Sequence, residues 1–544
     1  MVSNPVGTRI AGIRLDGTRL VALGAPVLVA AVVIVNAWSG LMPGVAFWDT
    51  GEFQTVLPIM GTAHPTGYPT YVLLGFLGNI LLTPIGEPAF RVTVLSLLAV
   101  ATAAAATVVL IRRLTGSTIV GMATGVGLAT TPVVWLNATR ADPHPIHLMF
   151  VALLLVALVR WEQGRRALAK GEAPTVTQAT VDRRLVLAAV IFGLAEGNHS
   201  LTLLLAPPIA LYVLAVEPGI LRRPMFIGAC LGAAVLTMVL VFLELPIRGG
   251  LIPAPLIYGQ PATWDGFWYV VFAQQFQGSV GDVFADLPHK LDGLMALANA
   301  QLGALVPLVP IALAVSAWRA PRYTLLTATA LVLTVLFNQS YANADIERYY
   351  LGPVLWIWTW IGILAAQAAR LIAAAAVRLG AMSRDVSIDS PAARPATLVA
   401  AAIVAVVLLM PTLQDLSTRR HKADRSGDTG ARQWLDQVLP ESVIAKDAVL
   451  VSWWSTSTAL WYAQKVEGQR TDITIIDDRT MLDQNLGRAP DVISSNLGQR
   501  PVYVIRLEGR DTDELTSQFD MTLVASGGSL GVWRVNGRLA AVAP

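Results

Sequence analysis

One cysteine, Cys230, stands among 544 residues, and it lies inside a hydrophobic run. No intramolecular disulfide can form, and a cysteine-held zinc site is excluded. Charge is scarce as well: Asp, Glu, Lys and Arg together make up 14% of the chain, too little to coat a soluble protein of this size. The net charge of +3 follows the membrane topology described below, so no nucleic-acid partner is expected. Missing too are an internal repeat, a dinucleotide-type Gly-rich loop and an HExxH helix.

What abounds is apolar: 54% of residues are hydrophobic, with a mean hydropathy of +0.58. Most of the chain therefore belongs in lipid, where a spanning helix needs about 20 apolar residues because its backbone finds no outside partner. Such runs fall at roughly 20–38, 91–111, 117–135, 145–161, 185–197, 201–216, 225–245, 292–317, 323–338, 351–374 and 396–412, about eleven spans. The first follows Arg9, Arg14 and Arg19 and exceeds the apolar stretch of a cleaved signal, which predicts a retained span.

Basic residues give the sidedness. If the run 68–82 lies in the interface and does not cross, roughly 19 Lys and Arg fall inside against about 5 outside (Arg91, Arg140, Arg248, Lys290, Arg348). The N-terminus is then cytoplasmic and the C-terminal part external. Residues 1–413 read as a transmembrane domain with long outer loops 39–90 and 246–291. Trp264, Phe267, Trp268, Val271 and Phe272 recur at helical spacing in the second loop and predict an interfacial helix. Residues 414–544 read as an external α/β domain: ARQWLDQVL and TALWYAQKV are helix-like, AVLVSWW, DITIID and PVYVIRL strand-like, and GVWRV ends the sheet. The expected fold is thus mainly α, a polytopic bundle carrying a small α/β domain.

Chemically rich residues gather in the outer turns. In WDTGEFQTVLPIMGTAHPTGYPTY, Asp49 and Glu52 sit three apart, on one helical face, in a region without Lys or Arg. Partial desolvation beside Trp48 is expected to raise the pKa of Asp49. A plainer role, Asp49 or Thr50 capping a helix, fits the same residues. His64 sits in a Pro- and Gly-rich turn with Tyr68. Other turns supply Arg140, Asp142, His144 and His147; Glu196, Asn198 and His199; and Asp345, Glu347, Arg348 and Tyr349. A helix–helix turn needs only small polar residues, so this convergence exceeds the structural requirement.

Sugar transfer from a phosphate-linked lipid uses such groups: a carboxylate to take the acceptor's proton and cations for the departing phosphate. Asp49 is the base candidate; Arg348, Arg248 and Arg140 are phosphate candidates. A site facing away from the cytoplasm draws its donor from the membrane. A transporter or flippase of a lipid-linked or anionic substrate would also concentrate charge in this way, and Asp49, Glu52, His64, His144 and His199 offer oxygen and nitrogen ligands to a metal-dependent hydrolase.

The stretches WDTGEF and GTAHPTGYP, the turn GLAEGNHSLTLLLAPP and the segment AVLVSWWSTSTALWYAQKVEGQRTDITIID together resemble the membrane glycosyltransferases of the C-type (GT-C) superfamily. More narrowly they resemble the bacterial branch related to an animal endoplasmic-reticulum protein O-mannosyltransferase. The resemblance implies a multi-pass protein of the bacterial plasma membrane and an inverting transfer from a polyprenyl-phosphate sugar, with mannose suggested. It implies Asp49 as the catalytic base with Glu52 beside it, and leaves the acceptor open between a protein, a glycan and a lipid hydroxyl, a protein or glycan being the expected partner. His64, Asn198 and His199 match the family's motifs. Tyr68, Arg140, Asp142, His144, Arg248, Arg348 and Tyr349 complete the expected substrate-binding set. No cofactor is expected, and a divalent metal, though the chemistry would accommodate one, is not. One departure stands out: SWWSTSTALWY has no acidic residue after its strand.

Overall fold

The computed structural model describes residues 9–10, 13–14, 17–171, 175–380, 394–507, 512–527 and 530–539. Each expected span falls on a helix. Among the described residues seven helices are long and apolar enough to cross a membrane: Pro88–Thr115, Pro143–Lys170, Pro224–Leu251, Leu287–Arg319, Pro321–Ser340, Ile346–Leu379 and Arg394–Gln414. The expected span 117–135 is a pair, Thr118–Ala129 and Pro132–Ala138, bent by 70°. The break falls at Thr131–Pro132, where a proline cannot continue the preceding helix.

We label the helices that build the site α1 (Gly17–Trp38), α2 (Trp48–Ile59), α3 (Pro69–Leu81), α4 (Pro88–Thr115), α5 (Thr118–Ala129), α6 (Pro132–Ala138), α7 (Pro143–Lys170) and α8 (Gln178–Asn198). Pro69, Pro88, Pro132 and Pro143 each open a helix, where the missing N–H costs nothing. The 13 residues of α3 cover only about 20 Å, short of the hydrocarbon core. The bundle closes tightly where small residues meet. A Cβ on Gly121 would stand 2.9 Å from the carbonyl oxygen of Val108, and one on Gly125 2.7 Å from that of Ala104. This i, i+4 glycine pair lets α5 approach the Ala-rich face of α4, the packing that replaces the hydrophobic effect inside a bilayer.

The C-terminal region carries a five-stranded sheet in the order Thr474–Asp477, Val449–Ser452, Val502–Leu507, Leu530–Arg538, Phe519–Gly527. The first three strands are parallel and the last two antiparallel. The helix over ARQWLDQVL (Gly430–Val438) and the one that begins TALWYAQKV (Trp454–Trp461) are present. GVWRV lies in the last strand of the chain, Leu530–Arg538, an inner strand of the sheet. The edge beside it belongs to Phe519–Gly527, a strand absent from the sequence reading although Phe519, Met521 and Leu523 alternate with Asp520 and Thr522. The two parts share a core: Val45 and Ala89 pack with Trp434, Leu460 and Tyr462, and the Tyr462 hydroxyl accepts the Ala89 N–H at 3.0 Å. In the second long loop a helix forms at Trp264–Val271. Trp268 and Phe272 stack at 5.0 Å on its outer side while Val270 is buried against Leu245.

Candidate active site

The first long loop is shaped by Gln54. Its side-chain oxygen accepts the Ala46 N–H at 2.8 Å and its amide donates to the Gly44 carbonyl at 2.9 Å, tying the entry of α2 to the middle of that helix. Trp48 enters with a φ of +60°, a conformation held in a non-glycine residue only by its surroundings. Asp49 follows in the first turn, where the helix dipole favours a carboxylate.

Glu52, one turn on, is buried and fully engaged. One carboxylate oxygen accepts the His64 main-chain N–H at 2.7 Å and the other the His64 Nδ1–H at 2.5 Å. It fixes the His-Pro turn, turning the other nitrogen of His64 to the Tyr68 hydroxyl at 3.3 Å. Burial opposes charge on His64, but Glu52 and then Asp49 outweigh it and raise its pKa above the ordinary 6.5. Glu52 therefore orients His64 through both of its carboxylate oxygens.

Arg348 is the hub. Its Nη2 donates to Asp49 Oδ2 at 2.7 Å and its Nη1 to Asp142 Oδ2 at 3.0 Å. The expectation that Asp49 lacks a basic neighbour is thereby overturned: the cation comes from a turn 299 positions away. Burial does act to raise the Asp49 pKa, yet His64 and Arg348 together prevail and hold it below its ordinary value. Asp142 caps α7 by accepting the His144 N–H at 2.8 Å, and it also accepts His144 Nδ1–H at 2.7 Å. Arg140 Nη2 donates to Asp345 at 2.6 Å and Asn137 at 3.0 Å. The rings of His144 and His199 lie 4.5 Å apart, with Tyr349 at 4.8 and 5.6 Å.

These groups border a cavity of about 1030 Å³ between the bundle and the C-terminal domain. Of the expected residues, Asp49, His64, Tyr68, Arg140, His199, Arg348 and Tyr349 line it. Asp142, His144 and Asn198 are buried behind its wall; Asn198 donates to the Pro143 carbonyl at 3.1 Å. Arg248 is removed from the site altogether. Its guanidinium donates to the main-chain carbonyls of Met60, Ile252 and Ile59, satisfying the frayed C-terminal end of α2. Sequence reasoning placed it by loop membership alone, which cannot tell a cation facing a cavity from one capping a helix.

Among the wall residues missed are Trp454, Asp478, Arg479 and Leu482, from the C-terminal domain. Each follows a parallel strand, at the carboxyl end where such sheets build sites, and that was the available signal. The acidic residue absent after the first of these strands is supplied after the second, for Asp478 accepts the Trp454 N–H at 2.5 Å. Arg479 lies over Tyr258 at 4.4 Å, donates to the Tyr269 hydroxyl at 2.6 Å and meets Asp483 at 3.4 Å. Among the described residues no group of three or more His, Cys, Asp or Glu is placed to hold a metal ion.

A helical bundle with an acidic long loop after its first helix, a cavity at one end and a small α/β domain over it agrees with the resemblance to the C-type membrane glycosyltransferases, and the comparisons support that resemblance. Residues 49–218 match the family described as the Protein O-mannosyl-transferase TMEM260 N-terminal domain. The Protein O-mannosyl-transferase TMEM260 of Mus musculus is 25% identical over 448 residues, 80% of this chain and 59% of that protein, so the chain spans about three-fifths of its relative. Among solved structures, ArnT from Cupriavidus metallidurans bound to undecaprenyl phosphate superposes with a TM-score of 0.62 at 14% identity, over 94% of this chain and 98% of that one. Its apo form gives 0.58 at 15% identity over the same shares. At these identities the likeness is one of fold.

Proposed function

We propose that the protein is an inverting glycosyltransferase. It moves a sugar, mannose in the first instance, from a polyprenyl-phosphate carrier to a hydroxyl of a protein or glycan outside the cell membrane. One observation carries this reading: Asp49 and Arg348, a proton acceptor and a phosphate-seeking cation, meet at 2.7 Å on the wall of a large cavity. The relative's name supports mannose and a protein hydroxyl, and the lipid bound to ArnT supports a phosphate-linked carrier.

In this reaction the acceptor oxygen attacks the anomeric carbon as its proton passes to Asp49. The bond from that carbon to the phosphate oxygen breaks on the opposite face, and its electron pair leaves with the phosphate, whose charge Arg348 receives. Glu52 keeps His64 in place beside Asp49, while His199, Tyr68, Tyr349 and Arg140 contact the substrates. Residues 1–413 form the membrane domain and 414–544 the external domain, which together close the cavity outside the bilayer.

Purified protein in vesicles, given polyprenyl-phosphate mannose and serine- or threonine-containing peptides, should yield glycosylated peptide of inverted anomeric configuration. Movement of the lipid across the vesicle wall with no transfer to any acceptor would replace this reading with transport.

A further inference from the structure

Arg348 holds two carboxylates that differ in kind. Asp142 is buried and locked: Oδ1 takes both the Nδ1–H and the main-chain N–H of His144, and Oδ2 takes Nη1 of Arg348, with Arg140 Nη2 at 3.7 Å. Because an ionised carboxylate only accepts, His144 must carry its proton on Nδ1. Its ring is wedged between His199 and Tyr349, so neither His144 nor Asp142 can turn. Asp49 is different. Its side chain is 28% exposed against 2% for Asp142, it lines the cavity, and Arg348 is its one ion pair among the described residues.

We propose that Asp142 and His144 are positioning residues that anchor Arg348 as a pivot, with Nη1 kept by Asp142 while Nη2 is exchanged between Asp49 and the phosphate of the lipid donor. This rests on the function proposed above. Nη2 is the arm on the cavity side, since Asp49 lines the cavity and Asp142 does not. An incoming phosphate takes it bidentately or singly in place of Asp49, a charge-assisted exchange between two anions for one guanidinium. Arrival of the donor and release of Asp49 are then one event. The base is free only while a lipid phosphate holds Nη2, and donor binding precedes chemistry at the acceptor.

The test labels Arg348 with phenylglyoxal in the intact protein in lipid nanodiscs, follows the modified peptide by mass spectrometry, and measures undecaprenyl-phosphate binding in parallel. His144→Leu and Asp142→Asn should speed labelling and weaken binding by roughly ten- to a hundredfold, the size seen when an orienting partner is removed. His144→Asn, whose amide nitrogen stands near the place of Nδ1, should restore most of the loss. The double variant should behave as either single one, because both act through Arg348. In transfer assays the KM for donor should rise while that for acceptor holds. If Asp142→Asn does not fold, His144→Leu with its Asn counterpart decides alone. Labelling unchanged from wild type overturns the anchor even if transfer persists. Faster labelling in both variants, with a wild type that neither binds undecaprenyl phosphate nor transfers sugar, leaves the anchor standing and overturns the exchange and the function together. Bound undecaprenyl phosphate that leaves the Asp49–Arg348 contact and the labelling rate unaltered overturns the exchange alone.

Discussion

The carboxylate of Asp49 and the guanidinium of Arg348 touch at 2.7 Å although 299 positions separate them. The contact brings the first long loop against the first turn of the helix Ile346–Leu379, and it sets the terms for the mechanism. Asp49→Asn keeps the shape and can still accept a bond from Arg348. We expect a folded protein that binds polyprenyl-phosphate sugar and loses transfer by about a hundredfold to ten-thousandfold. Full transfer in this variant would remove Asp49 from the reaction. Glu52→Gln should instead show a lower thermal midpoint with a smaller loss of rate, because both Glu52 oxygens serve His64.

Arg348→Ala removes the cation from two carboxylates, one of them buried. It should weaken donor binding and also cost about 3–5 kcal/mol of stability, as when one partner of a buried pair is deleted. Arg348→Lys offers a single point charge in place of a two-armed fork and should recover only part of either quantity. Calorimetric unfolding and lipid-phosphate binding in detergent measure both, and unchanged affinity in Arg348→Ala would move the phosphate role to Arg140.

The C-terminal domain makes a separate prediction about pH. Burial pushes the Asp477 carboxyl up from 3.8 to about 6, against the bonds it accepts from Thr480. Native protein therefore binds the proton more tightly than unfolded chain, so stability falls as pH rises from 4 to 6 and is level above. Such a displacement amounts to about 3 kcal/mol. Asp477→Asn, which can still cap Thr480, should raise the thermal midpoint of the whole protein at pH 7 to 8 and change it little at pH 4. A uniform shift at both pH values would contradict this.

Arg479 joins the C-terminal domain to the second long loop. It stacks on Tyr258 and bonds Tyr269, while Asp483 accepts the Gly259 N–H at 3.1 Å. Arg479→Ala forfeits a cation–π contact of about 1–2 kcal/mol. The expected result is faster proteolytic cleavage of the loop 256–269 and weaker acceptor binding, with donor affinity kept. Equal cleavage rates would show that the loop holds itself.

Membrane sidedness is open to direct measurement. A reporter fused after Arg113 should be cytoplasmic and one after Asp415 external, on the count of basic residues. The opposite result at either point would mean that the run 68–82 crosses the bilayer.

How far the site could be read depended on the range of the interaction. Asp49, Glu52 and His64 were legible because they share 16 consecutive residues, where helical spacing and the lack of basic neighbours are visible in the string. The seven cavity-lining residues among those expected came from turns whose polar content exceeded what a turn needs. The same reasoning misplaced Arg248, because a loop arginine that caps α2 and one that faces the cavity look alike in sequence. That both Glu52 oxygens bond to His64 could not be read from spacing, which shows only that the two residues are near in the chain.

The sequence by itself settled the fold class and the character of the first loop. Apolar runs near the length a bilayer needs read as helices in lipid, since a helix satisfies its backbone locally, and strand periodicity after position 440 announced a small sheet. Tertiary structure alone decided the electrostatics. That Arg348 holds Asp49 below its ordinary pKa, that Asp142 and His144 stand behind it, and that Trp454 and Arg479 close the cavity all rest on contacts between residues tens to hundreds of positions apart. A charge acts through distance in space, with a reach set by the local dielectric and, in salty water, by the Debye length. Sequence spacing carries no measure of that distance once the chain has turned back on itself.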